Sequence, residues 1–449
     1  MLDTPQLLLQ EPLLQNASAA LVGLSGGLDS SVLLHLLFRL RELGWSVPLS
    51  ALHVQHGLQA EAESWLEHCR QKCAALDIPF AYEHAQLGAA RLSSEDAARQ
   101  ARYAAFARHL PLGGVLLQAH HQQDQVETVL FRLLRGSGVR GLGGMPRERR
   151  FASGWLLRPL LDLPRAELER YACEHQLCWV EDPSNAQGHY SRNFLRQHIL
   201  PSLREHWPAL DKQLLTSAAR GAEAAFLLDE LAAADLESAQ GPHPSTVKLE
   251  ALRTLSVARR NNLVRFWCRQ RHGAAAPEPG AALLERLQTE LLDAKPSATP
   301  VLRWGEGAAE LTLRRHGVHV YLVPRLPLLP LCLELVVGEV LELPAPLGRL
   351  CWREGGEGGL ALRQGERLQL RFRQGGERIK LAGRPSRELK KLLWELGIAP
   401  WLRDYVPLIY RNEQLLAAAG FAQDEAVLSK SQQNTLQLVW ERPDLHCGA

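Results

Sequence analysis

The stretch QAHHQQDQVETVL, residues 118–130, places two carboxylates and a histidine at helical spacing. Asp124 and Glu127 are three apart, so on a helix they share one face, and His121 near the helix start reaches the same side. Such a pair can hold a magnesium ion or accept a proton. An acidic first turn that only complements the helix dipole has the same letters. Far upstream, SGGLDS (Ser25 to Ser30) puts two glycines and two hydroxyls between apolar runs. Gly26 and Gly27 permit close backbone approach, and a helix starting near Asp29 or Ser30 would aim free N–H groups at an anion. A strand-to-helix turn capped by Asp29 or Ser30 fits equally. A third cluster, EDPSN (181–185) followed by RNFLR (192–196), carries Arg192 and Arg196 four residues apart. Arginine suits the charge that builds on transferred phosphoryl oxygens, although the segment alone would be an ordinary surface helix.

The elements that must position these groups are legible between residues 19 and 119. The runs AALVGL, VPLSALHV, IPFAYEHA and GVLLQAH read as buried strands, and SSVLLHLLFRLREL and AEAESWLEHCRQKCAAL as helices between them. This alternation predicts a parallel sheet with helices on both faces, whose ligands sit beyond the carboxyl ends of the strands. In the helix after GVLLQAH, Val126, Val129, Leu130 and Leu133 form the expected buried stripe.

The remaining chain divides by texture. We take 1–205 as an α/β domain, 206–325 as a mostly helical domain, 326–360 as a proline-punctuated connector and 361–449 as a basic C-terminal domain. In RLQLRFR, Leu368, Leu370 and Phe372 alternate with Arg367, Gln369, Arg371 and Arg373, the period of a half-exposed strand. Residues 363–403 hold eleven Lys or Arg and four Asp or Glu, a local excess of +7 in a chain of net charge +2. That concentration reads as a phosphate-backbone footprint or as a solvated basic face. The leucine-rich start carries Asp3 and Glu11 and reads as a first helix rather than a leader. With no apolar run of the roughly 20 residues a bilayer needs, a soluble cytoplasmic protein is expected. Eight scattered cysteines include no C-x-x-C pair, and Cys69 and Cys73 read as packing.

SGGLDS is not a Walker loop, since no lysine stands in the turn, and no G-x-G-x-x-G fingerprint is present. It resembles the loop of the PP-loop ATP pyrophosphatases, which cleave ATP between the α and β phosphates. Together SGGLDS, HVQHGL (53–58), AHHQQDQVET, EDPSN, RNFLR and the C-terminal KLAGRPSRELKKLLWELGIAPWLRDYVPLIY resemble the tRNA(Ile)-lysidine synthetases. The resemblance implies a doubly wound, Rossmann-like α/β domain that is catalytic, then a helical domain that binds substrate and a small α+β domain. It implies ATP-dependent ligation of L-lysine to C2 of the wobble cytidine in the CAU anticodon of a minor tRNA(Ile), through an adenylated intermediate. On that resemblance Ser25, Gly26, Gly27, Leu28, Asp29 and Ser30 hold the nucleotide, with His53, Arg99 and Arg102 beside it. Asp29 and Asp124 are the expected Mg2+ contacts, and Asp124, Glu127, Arg192 and His121 the catalytic set. Arg371, Arg373, Lys380, Lys390, Lys391 and Arg196 are the expected tRNA contacts, and the oligomeric state, homodimer included, stays open. One position departs from the family pattern: Gln123 stands where a first of two aspartates is usual. The rival readings are a PP-loop thiolation enzyme, disfavoured because no cysteine lies close in sequence to SGGLDS or HHQQDQVET, and a tRNA-binding protein with a decayed ATP site.

Overall fold

The structure, a computed structural model, describes residues 5–55, 62–84, 95–181, 191–273, 276–295, 298–330, 332–354, 360–428 and 435–441. The apolar runs of the N-terminal part become strands β1 (Ala20–Gly23), β2 (Leu49–Gln55), β3 (Phe80–His84), β4 (Val115–Leu117), β5 (Glu148–Phe151) and β6 (Gly154–Leu157). They form one sheet in the order β3-β2-β1-β4-β6-β5. Its neighbours are parallel except for the terminal β5–β6 hairpin. Helices α1 (Leu28–Glu42), α2 (Ala62–Ala75), α3 (Glu95–His109), α4 (Gln122–Leu134) and α5 (Arg165–Glu174) make or follow the crossovers.

Strand periodicity of two separates two apolar layers. Ala20 and Val22 of β1 pack with Leu33 and Leu37 of α1, Cys69 and Cys73 of α2, and Leu168 and Tyr171 of α5. Leu21, between them in sequence, joins Leu52, Leu116 and Leu156 against Phe106 and Leu110. The sheet is therefore covered on both faces, the doubly wound α/β arrangement expected, with β1 and β4 at its centre.

Local readings differ in four places. The run that forms β3 was expected to be buried, yet Tyr82 is 47% exposed because β3 is an edge strand. Leu133, expected in the buried stripe of α4, is 51% exposed. That helix packs through Val126 and Leu130 against Leu195 and Leu200, and its last turn runs beyond them. The leading segment forms two short helices, Gln6–Leu9 and Pro12–Gln15, instead of one. Pro12 lacks the N–H needed inside a helix and so starts the second. The hairpin β5–β6 adds two strands that the apolar pattern does not reveal.

The chain clusters into two compact units, residues 1–227 and 228–449. In the second, Val257–His272 and neighbouring short helices pack with an antiparallel sheet of Thr246–Lys248, His319–Pro324, Leu311–His316 and Val301–Trp304 around Trp267 and Leu263. The proline-punctuated stretch 326–360 contributes strands to the sheets that follow. Leu333–Val336 pairs with Arg367–Arg371, and Arg349–Glu354 with Leu436–Glu441. Leu368, Leu370 and Phe372 are buried in one core, as the alternation of RLQLRFR requires. Among the described residues no helix is long and apolar enough to cross a membrane.

Candidate active site

The loop after β1 is shaped by what its glycines exclude. A Cβ on Gly23 would lie 2.9 Å from Phe106 Cζ, so α3 packs directly on the backbone there. Gly26 has φ +86°, and a Cβ on it would lie 3.0 Å from Cys69 Sγ. Neither Asp29 nor Ser30 is the cap: α1 starts at Leu28 with Gly27 as N-cap and no side-chain cap bond. The first-turn N–H groups of α1 therefore remain available to an anion. The serines brace the loop. Ser30 Oγ donates to Gly27 O (3.1 Å), accepts from Ser25 N (3.2 Å) and lies 3.0 Å from Ser25 Oγ. Gly26 O accepts from Val180 N at 3.0 Å. Lys72 of α2 donates to Ser31 Oγ (2.8 Å) and to the carbonyl of Cys178. Val180 and Cys178 thus strap the loop from the segment after α5.

The carboxylates arrive from the end of β4. His121 is the N-cap of α4: its Nδ1 accepts from Gln123 N, while Asp124 Oδ2 accepts from His121 N (3.0 Å). The acidic-first-turn reading is thus realised in Asp124. Because Nδ1 is an acceptor, Nε2 carries the proton, and it faces Asp29 Oδ1 at 3.7 Å and Asp124 Oδ2 at 3.5 Å. Asp29 Oδ1 is buried with no hydrogen-bond partner. Burial raises the Asp29 carboxyl above its usual range; His121 opposes that shift and Asp124 reinforces it. Glu127, 4% exposed, is held bidentately by Arg196, Nε to Oε1 at 2.6 Å and Nη2 to Oε2 at 2.8 Å. Arg196 Nη2 also stands 3.5 Å from Asp124 Oδ1. Arg192 lies over the Phe131 ring, 5.8 Å from its centroid. Arg196 itself lies in a π-helical turn, Leu195–Ile199, directly after the short helix Ser191–Phe194 that carries Arg192, and such turns are frequent at functional sites. Asp29, Asp124, Glu127, His121 and Arg196 are therefore one cluster. Arg196, expected among the tRNA contacts, sits inside it as the counter-ion of Glu127. An orphaned Asp29 oxygen beside Asp124 fits magnesium, which typically takes one or two protein carboxylates plus substrate phosphates.

Gln123 faces elsewhere. Its Oε1 accepts from Arg165 N (2.8 Å) at the start of α5. His53 is buried, and burial first of all lowers its pKa. As a neutral ring it donates Nδ1–H to Leu24 O at 2.9 Å, so it supports the loop from beneath. Burial pushes the Cys69 and Cys73 thiols up to about 12 and about 11, in keeping with packing. Arg99 and Arg102 lie in the first half of α3, at the carboxyl ends of the strands. His56 to Leu58 and Asp182 to Asn185 lie outside the described residues. Sequence reasoning passed over Lys72 and Arg158; the latter's signal was a charged residue directly after the apolar run GWLL.

In the second unit, Arg371 pairs with Glu413 (2.8 Å) and Arg373 with Asp404 (2.9 Å). Lys380 pairs with Glu425, and Lys391 approaches Glu388 at 3.9 Å. Lys390 is exposed.

Residues 4–203 match the family described as PP-loop domain. Residues 248–321 match the TilS substrate binding domain, and 368–440 the TilS substrate C-terminal domain. Over 424 residues the chain is 42% identical to a tRNA(Ile)-lysidine synthase of Pseudomonas syringae pv. tomato, covering 90% of this chain and 89% of that one. It is 40% identical to the enzyme so named in Serratia proteamaculans, covering 94% and 95%. For the one in Pseudomonas aeruginosa the identity is 41%, covering 94% and 93%.

Proposed function

This chain belongs to the tRNA(Ile)-lysidine synthase family, and we propose that its loop, carboxylates and arginines divide the ligation of lysine to tRNA as follows. The enzyme is an ATP-dependent ligase that forms a C–N bond. The ATP phosphates lie across Ser25 to Ser30, against the free N–H groups at the start of α1. O2 of the wobble cytidine attacks the α-phosphorus and pyrophosphate leaves. Charge grows on the α-phosphoryl oxygens in this step, and Arg192 and the α1 N-terminus meet it. Asp29, with Asp124 beside it, would hold a magnesium ion, which when bound neutralises phosphate charge.

In the second step the lysine ε-amine attacks C2, and the bond from C2 to the AMP oxygen breaks. The amine must be neutral to attack, yet free lysine has a pKa of about 10.4. The two carboxylates are not equivalent for this task. Both Glu127 oxygens are engaged by Arg196. The Asp124 side chain is 22% exposed against 5% for Glu127, and Arg196 Nη2 approaches its Oδ1 at 3.5 Å instead of holding it bidentately. Asp124 therefore orients the amine and receives its proton, while Glu127 and Arg196 fix its surroundings. Lys380, Lys390, Lys391, Arg371 and Arg373 grip tRNA backbone from the C-terminal part.

The observation that carries this reading is the convergence of Asp29, from the end of β1, with His121 and Asp124, from the end of β4. Labelled lysine, ATP and the tRNA(Ile) transcript with a CAU anticodon test it. ATP-dependent incorporation is the expected result. A gel shift without incorporation would instead mark a tRNA-binding protein.

A further inference from the structure

His120 turns its Nδ1 to Arg158, whereas Nε2 of its neighbour His121 faces Asp29 and Asp124. On the His120 side the ends of β4 and β6, strand β5 and the first half of α3 gather cations. Arg158, 2% exposed, donates Nη1 to Pro146 O (2.7 Å), Nε to His120 Nδ1 (3.2 Å) and Nη2 to Tyr103 OH (3.4 Å). Arg99 donates to the same hydroxyl at 3.3 Å and lies 5.0 Å from the ring centroid. Arg149 stands 5.4 Å from the centroids of both Tyr103 and Phe151. In the next register, Arg150 covers Trp155 at 4.1 Å. Tyr103 OH donates onward to Gln118 Oε1 at 3.0 Å.

Among the described residues, no carboxylate lies within ion-pair distance of Arg99, Arg149 or Arg158. The local field shows the excess. Burial pushes the Tyr103 phenol up, but Arg99, Arg158 and Arg149 outweigh it and leave it below its ordinary value. Burial pushes His120 down to about 3; Asp124 opposes this, and Arg158 and Arg99 add to it. His120 is thus the neutral acceptor that Arg158 requires. A buried guanidinium without a counter-ion is costly, and Arg158 in that state, with the half-buried Arg99 and Arg149 beside it, calls for an anion from outside the chain.

We propose that Arg158, Arg149, Arg99 and Tyr103 form a subsite for the phosphodiester backbone of the tRNA anticodon loop, next to the reacting cytidine. The proposal rests on the ligase reading above. ATP phosphates have their own cradle at α1. The lysine carboxylate needs a single fork, whereas a row of guanidiniums with a hydroxyl matches repeated phosphates. Arginines interleaved with aromatic rings on the β5–β6 hairpin are also the pairing used to follow a nucleic-acid strand.

Full-length Arg149→Gln and Tyr103→Phe test the subsite, with whole tRNA and with an anticodon stem-loop RNA. Arg149 is only partly buried and lies on an edge strand, so its variant keeps the fold; a thermal melt checks this. For Arg149→Gln we expect the KM for either RNA to rise roughly tenfold and the log–log salt slope of RNA binding to flatten by about one. The KM values for ATP and lysine stay put. Arg149→Lys restores most of the salt slope. Tyr103→Phe raises the RNA KM by a smaller factor. Unchanged RNA affinity in Arg149→Gln overturns the proposal, as does a rise confined to the ATP or lysine KM. If the wild type binds stem-loop RNA but never incorporates lysine, the ligase reading fails, and filter binding of the stem-loop by Arg149→Gln still decides the subsite.

Discussion

Asp124 and Gln123 are chain neighbours with different duties. Gln123 receives the Arg165 N–H and so caps α5, whereas Asp124 caps its own helix and faces Asp29 across His121. Asp124→Asn is expected to lower pyrophosphate release and lysine incorporation by about 100-fold or more. Gln123→Ala should change either rate only a few-fold and cost about 1 kcal/mol of stability, the size of a lost cap. Equal rates in wild type and Asp124→Asn would remove Asp124 from the chemistry. Residue types and spacing in the sequence brought His121, Asp124 and Glu127 together on one helix, and only the family resemblance added Asp29 to them. They did not reveal that Arg196 belongs to Glu127. A four-residue interval says that Arg192 and Arg196 share a helical face, but the π turn beginning at Leu195 changes their relative direction.

At the scale of elements, the handover from β1 to α1 is the most constrained. Gly26→Ala would place a Cβ at positive φ and against Cys69 Sγ, a strain of about 1–2 kcal/mol from the backbone alone. The expected outcome is a KM for ATP at least tenfold higher, with only partial recovery in the Gly26→Ala, Cys69→Ala double variant, because the φ is unchanged. The packing of α1 on α5 supplies a pH dependence. His35 Nδ1 meets Tyr171 OH at 2.9 Å, its ring is 5.0 Å from that of His175, and Arg39 and Lys72 bear on it as well. Burial pushes His35 down to about 4. The unfolded chain takes up its proton near pH 6.5, so this part of the stability is complete above about 6.5 and is lost as pH falls towards 4. Melting temperatures across that window should fall in the wild type and fall less steeply in His35→Gln. The central strands were legible because burial on both faces demands continuous apolar runs. The β5–β6 hairpin was not, because ERRF at an edge needs no apolar pattern and is held by its register with Gly154–Leu157.

For the whole molecule, charge location matters more than net charge. The +7 excess counted over residues 363–403 omits Glu413 and Glu425, which the fold brings to Arg371 and Lys380. Exposed pairs of this kind contribute little stability but mute the field that a phosphate feels. Neutralising Lys390 and Lys391 together should therefore raise the KM for tRNA and flatten the salt slope by about two, while Arg371→Gln alone has a smaller effect. Filter binding across a salt series measures both, and a larger loss from Arg371→Gln would reverse the order. A sequence window cannot see such pairings, because the partners come from strands and turns that close only in three dimensions.

The strap over the loop has an optical consequence. Trp179 lies between Cys178, whose carbonyl Lys72 holds, and Val180, whose N–H binds Gly26 O, and its ring is partly buried against the N-terminal core. With ATP across Gly26 and Gly27 as proposed, the expected outcome is a change in the polarity and rigidity around that indole. The chain has 11 tryptophans, so the signal is read as the difference between wild type and Trp179→Phe. The emission of that one ring then becomes an unlabelled, real-time gauge of ATP arrival and pyrophosphate departure.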